Sequence, residues 1–149
     1  MESDMSEPEQ RHLRRAIELA AEARDAGDMP FGSLLVDATG EVVREDRNTV
    51  VTDRDIAAHP EMKLAQWAAR ELARESAART TMYTSCEPCS MCRGAIARSG
   101  LGRVVFALSS EQLNELRPPG VAAPDVAAVD YQGPALPEEG RVPLDGFYG

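Results

Sequence analysis

Apolar positions along this chain follow two rhythms, one of three to four residues and one of two, and the rhythms alternate. Between Glu9 and Ala26, Leu13, Ile17 and Ala20 recur at helical spacing while Arg and Glu fill the other faces. Pro8 suits a first turn and Gly27 an exit, so the pattern predicts a helix. Phe31-Gly32-Ser33 opens a strand, Ser33–Asp37, and Glu41–Asn48 pairs back across the turn Ala38-Thr39-Gly40. Residues 52–56 read as a polar loop. From His59 to Arg74, Leu64, Ala65, Ala68 and Leu72 form one apolar stripe, with Trp67 on a neighbouring one, which predicts a second helix. Pro60 belongs in its first turn, where no N–H is required. Thr81–Ser85 predicts a third strand, Pro88–Ser99 a third helix closed by Gly100 and Gly102, and Arg103–Leu108 a fourth strand. Ser109 and Gln112 spell a capping box for a short helix to Leu116. Three prolines and a glycine make residues 117–124 a loop. Residues 125–131 predict a fifth strand, and the chain from Gly133 onward is a Pro/Gly-rich tail ending in Phe147-Tyr148.

Strands that alternate with helices from Thr81 onward imply parallel pairing there, while the opening hairpin is antiparallel. The expected fold class is therefore α/β, a three-layer α/β/α sandwich around a mixed five-stranded sheet. At 149 residues the chain suits one domain with a sizeable core, placed at 9–149 behind a flexible N-terminus at 1–8.

Composition narrows the function. Hydrophobic residues make up 43% of the chain, which excludes a mainly disordered protein. No apolar run approaches a membrane span, and the polar, acidic start lacks the apolar stretch of a secretion signal. The expected location is the cytoplasm, with no membrane partner. Net charge is -9, from 16 basic and 25 acidic residues, with no basic run at either end. That weighs against a nucleic-acid substrate, whose phosphates reward clustered Lys and Arg.

The three cysteines, Cys86, Cys89 and Cys92, lie in one short segment. A disulfide framework wants an even number spread along the chain, so the cluster points to metal in a reducing compartment. His59 with Cys89 and Cys92 supplies three ligands of the kind that hold Zn2+ and leaves a fourth tetrahedral position open, the mark of a catalytic ion. Glu61 lies two residues from His59, close enough to handle the proton of a zinc-activated water. Two other readings stand beside this one: a closed structural site that adds Cys86, and an iron–sulfur cluster, which would lack a fourth cysteine. Taken singly, Phe31, Asn48, Phe147 and Tyr148 read as ordinary structural residues.

The His59-Pro60-Glu61 and Pro88-Cys89-Ser90-Met91-Cys92 boxes, with Pro30-Phe31-Gly32, Asn48 and Tyr83-Thr84-Ser85-Cys86-Glu87, resemble the cytidine/deoxycytidylate deaminase superfamily. Within it, these spellings look like the bacterial guanine- and cytosine-type nucleobase deaminases. The resemblance implies a cytidine deaminase-like fold and a zinc-dependent hydrolase that releases ammonia from a small nucleobase. It implies Glu61 as the catalytic proton shuttle, Asn48 as a donor to the base and Phe31 as a pocket wall. It makes Glu111 and Glu115 candidates for reading an amino group. It implies a homodimer, with C-terminal residues near a neighbouring site. A tRNA adenosine deaminase with the same boxes is the alternative enzyme, and a non-catalytic structural-zinc scaffold the alternative from another class. One departure stands out: the family usually has Ala, Gly or Val between the histidine and glutamate, with an N–H that meets a carbonyl of the base, and Pro60 has none.

Overall fold

Neighbouring residues of a strand face opposite sides of a sheet, and in this chain that parity divides the core in two. The computed structural model describes residues 5–121, 123 and 128–149. Among them, four strands form one sheet: β1 (Gly32–Val36), β2 (Val42–Arg47), β3 (Thr81–Cys86) and β4 (Arg103–Leu108), in the order β2-β1-β3-β4. The β1 strand pairs antiparallel with β2 and β3, and β3 pairs parallel with β4, so the sheet is mixed as the alternation predicts. The helices are α1 (Glu7–Asp25), α2 (Val50–Asp53), α3 (Pro60–Glu71), α4 (Arg74–Ala78), α5 (Ser90–Ser99), α6 (Ser110–Glu115) and α7 (Pro137–Arg141).

Register carries the parity across the sheet. Leu34 faces Tyr83, which faces Val105, and these three pack with Leu13, Ala16 and Leu19 of α1. One residue along, Leu35 faces Met82, which faces Val104, and these pack with Leu64, Ala65 and Ala68 of α3 and Ile96 of α5. Helices therefore cover both faces, giving three layers with α3 and α5 side by side on one of them. The central strand β1 is buried along its whole length, as a strand covered on both faces must be.

Gly32 sets the distance of α1 from the sheet. A Cβ there would lie 2.5 Å from Leu19 Cβ, 2.6 Å from Ala16 O and 2.6 Å from Ala20 N, closer than any side-chain rotation relieves. Gly32→Ala must push α1 outward, and overpacking of this kind costs about 1–3 kcal/mol. Chemical denaturation should show that loss, with the midpoint lowered and the slope little changed.

The structure departs from the sequence reading in four places. Among the described residues the sheet has four strands, not five: residues 125–127 lie outside them, and 128–131 join no ladder, so no described strand lies beyond β4. The second helix stops at Glu71 rather than Arg74, because Leu72 turns extended (φ -100°, ψ 139°) and lays its side chain on the α3-side core. The chain then re-enters a short helix, α4. The polar loop contains α2, a single turn too short for periodicity to reveal and started by Asn48 Oδ1, which accepts from Val50 N–H at 2.9 Å. The tail holds α7 and a following 3-10 turn, Val142–Leu144, all exposed. At the N-terminus, Ser6 and Glu9 form a capping box and the helix begins at Glu7. The expected flexible stretch 1–8 falls partly on residues 1–4, outside the described residues.

Candidate metal centre and proton-transfer site

Two helix starts meet at the site. His59 is the N-cap of α3 and Cys89 the N-cap of α5. An N-cap side chain commonly bonds back to its own helix. The His59 ring makes no such bond, and it stands beside Cys89 Sγ across the two helix starts. Cys92 lies one turn beyond Cys89, fully buried where α5 packs beside α3. His59 Nδ1 stands 3.5 Å from Cys92 Sγ and 3.7 Å from Cys89 Sγ. Zinc bonds of about 2.0–2.1 Å to nitrogen and 2.3 Å to sulfur at tetrahedral angles put such atoms ~3.6 Å apart. All three ligand atoms lie within 4.8 Å of one another, and the group includes neither Cys86 nor Glu61. These residues fit a zinc ion.

The thiols say the same. Hydrogen bonds from Cys92 and His59 draw the Cys89 thiol below its usual range. Cys92 is pushed up, first by that bond with Cys89 and then by burial. A divalent cation bound by both sulfurs would let both ionise. Cys86, by contrast, is held as a thiol, raised by burial and then by the charge of Glu61.

Glu61 sits in the first turn of α3 with 6% of its surface exposed, and its Oε1 has no hydrogen-bond partner. Burial pushes its carboxyl up to about 7, against its own backbone N–H and the His59 charge, which pull it down. A bound zinc ion would pull it down further. A buried carboxylate oxygen with no partner is costly unless something polar is brought to it. Asn48 presents the complementary case. Its Oδ1 is committed to Val50 N–H, while its Nδ2 is buried and unpartnered. Asn48 N–H also donates to Phe31 O at 3.0 Å, and Thr49 N–H to Ala58 O at 3.0 Å, so Asn48 and Phe31 are tied to the chain just before His59. Phe31 is half-buried and Pro60 fully buried. Glu111 and Glu115 are exposed on α6, unlike Glu61 and Asn48, and nothing in their surroundings marks either as a reader of the base.

Three supports were not evident in the sequence. Asp28, with a fully buried side chain, accepts from Thr52 N–H at 2.8 Å, Thr52 Oγ1 at 2.7 Å and Arg47 at 3.4 Å. Those bonds hold its carboxyl below the usual range and pin both flanks of Asn48. Lys63 Nζ reaches Arg47 O at 2.8 Å, Thr49 Oγ1 at 2.9 Å and Asp46 at 2.8 Å, fastening the same segment to α3. Glu87 accepts from Ser110 N–H and pairs with Arg93, which joins the cysteine turn to the start of α6. The partners of Asp28 are 19 and 24 residues away, so no local pattern announces them.

Residues 6–108 match the family described as the cytidine and deoxycytidylate deaminase zinc-binding region. A probable cytosine deaminase of Schizosaccharomyces pombe is 33% identical over 98% of this chain and 96% of its own length. A tRNA-specific adenosine deaminase of Haemophilus influenzae is 35% identical over 70% of this chain, and a guanine deaminase of Bacillus subtilis 41% identical over 56%. Those two matches span 60% and 54% of the relatives' own lengths. Among solved structures, guanine deaminase from Bacillus subtilis superposes with a TM-score of 0.73 at 28% identity, covering 97% of this chain and 94% of that one. A deaminase from a study of A-to-I editing at the tRNA wobble position gives 0.61 at 26% identity, covering 68% and 77%.

Proposed function

This chain belongs to the cytidine and deoxycytidylate deaminase zinc-binding family, and on that premise we propose that it hydrolyses the exocyclic amine of a free nucleobase of guanine or cytosine type, releasing ammonia. The family makes it a zinc-dependent deaminase with the cytidine deaminase-like fold. The observation that carries the reading of its residues is the unpartnered Glu61 Oε1, buried beside three zinc-type ligands that exclude Cys86.

His59, Cys89 and Cys92 would hold the ion. When bound, zinc supplies a water acidic enough to attack near neutral pH and stabilises the charge that develops on its oxygen. Glu61 takes that water's proton and gives it to the ring nitrogen beside the amine-bearing carbon. It then carries a proton to the departing amine, so that C–NH2 and water become C=O and ammonia. Asn48 Nδ2 donates to an acceptor on the base and fixes its orientation. Phe31 lines the pocket.

The protein works in the cytoplasm as a homodimer. The dimer reading is supported by β4, which no strand covers among the described residues, and by a tail whose Tyr131, Phe147 and Tyr148 are 87%, 73% and 88% exposed, since exposed apolar patches mark interfaces. An RNA substrate is the second reading, favoured by the tRNA-specific relatives and disfavoured by the acidic charge.

Ammonia release from free bases, nucleosides and tRNA by the zinc-loaded protein tests this. The expected result is turnover of a free base with little salt dependence. Turnover of tRNA alone, with affinity falling steeply as salt rises, would replace it with the second reading.

A further inference from the structure

The N–H groups that open a helix are the donors a bound substrate would ordinarily meet, and in α3 each is accounted for. Pro60 holds the first helical position and has no N–H. The Glu61 N–H turns to its own carboxylate. The Met62 N–H goes to Cys92 Sγ. The Lys63 N–H closes the first turn on His59 O at 3.0 Å. The α3 backbone therefore offers no donor beside the carboxylate. Pro60 is fully buried, and its ring nitrogen carries no hydrogen to donate. The buried side-chain donor left without a partner among the described residues is Asn48 Nδ2, on a different segment.

We infer that Pro60 makes this site select rings with no carbonyl next to the nitrogen that Glu61 protonates, and so the guanine type over the cytosine type. The inference rests on the proposed role of Glu61. In cytosine, the nitrogen beside the amine-bearing carbon is flanked on its other side by the 2-carbonyl. In guanine, the nitrogen between the amine-bearing carbon and the ring fusion has no carbonyl beside it; the ring-fusion carbon bears the imidazole N–H instead, which asks for an acceptor and not for the donor that Pro60 lacks. Its carbonyl lies across the ring, free to accept from Asn48. A carbonyl set against Pro60 gives up its hydrogen bonds to water and gains none.

Uracil and 4-pyrimidinone isolate the effect. They are the products of deaminating cytosine and 4-aminopyrimidine, they differ by that carbonyl, and neither carries an amine to lose. Calorimetric Kd values for both are measured on zinc-loaded wild type, Pro60→Ala and Pro60→Gly. Each variant restores an N–H and should tighten uracil relative to 4-pyrimidinone by about two- to tenfold, the value of one neutral hydrogen bond. The two ligands are compared on one sample, so partial loss of folded protein cancels. A ratio unchanged in both variants, a ratio moved toward 4-pyrimidinone, or no binding of either ligand to any of the three proteins overturns the inference. Failure of the Glu61 reading would appear elsewhere, as undiminished ammonia release by a Glu61 variant, and this ratio does not depend on turnover.

Discussion

Glu61→Gln should leave the fold and the zinc intact and remove nearly all activity. The side chain is buried and outside the ligand group, so an isosteric amide neither opens a cavity nor removes a bond to the metal. An amide cannot take the proton of the attacking water or return one to the ring. Loss of general acid–base help typically costs ~10²–10⁴-fold in rate, and one carboxylate here serves several transfers. Zinc content by atomic absorption and the unfolding midpoint should match wild type while kcat falls by that factor. A variant within about threefold of wild type would contradict the role, since that is well under the 1.36 kcal/mol of a tenfold change.

Cys89→Ala and Cys92→Ala should each lose the metal and, with it, all deaminase activity. Three protein ligands are the minimum of a catalytic zinc site, and removing one leaves two with a fully buried gap at Cys92 or a half-buried one at Cys89. The purified wild type should carry one zinc per chain. Cys92→Ala should also lose stability, because its sulfur fills the contact between α3 and α5 and deleting buried volume adds a cavity cost. Cys86→Ala is the contrast. Its thiol lies outside the ligand group and is held protonated, so zinc should be retained. Full zinc in both Cys89 and Cys92 variants would remove the ligand assignment.

What the sequence revealed, and what it hid, follows from the range of the interactions involved. The strand–helix alternation, the capping box at Ser109 and the metal ligands are written in local spacing. His59 and Glu61 are two apart, and Cys89 and Cys92 are one helical turn apart, so chemistry and geometry are read from the same few residues. The three layers followed from period alone, since Leu34 and Leu35 must face opposite sides of any sheet. Of the expected fifth strand, the described residues 128–131 join no ladder. An apolar stretch behind three prolines has the composition of a strand, but pairing needs an edge brought alongside it, and composition does not specify that. The hydrogen-bond supports of Asn48 were equally hidden. Asp28 reads as a turn residue at the exit of α1, and only the fold brings Thr52 and Arg47 to it. Lys63 sits in an amphipathic helix where a lysine ordinarily means solvent, yet its ammonium closes the β2 end onto α3. Pro60 was legible as a helix start. Its missing N–H was legible as well; that the neighbouring N–H groups are already committed required the structure.

The account turns on a zinc ion with one position left open by the protein. X-ray absorption at the zinc edge of the full chain measures that directly. The expected shell is two sulfurs at about 2.3 Å and two lighter atoms at about 2.0–2.1 Å, one of them the His59 nitrogen and the other exchangeable oxygen. Three sulfurs and one nitrogen would mean that Cys86 closes the site, and a closed site has no place for the attacking water.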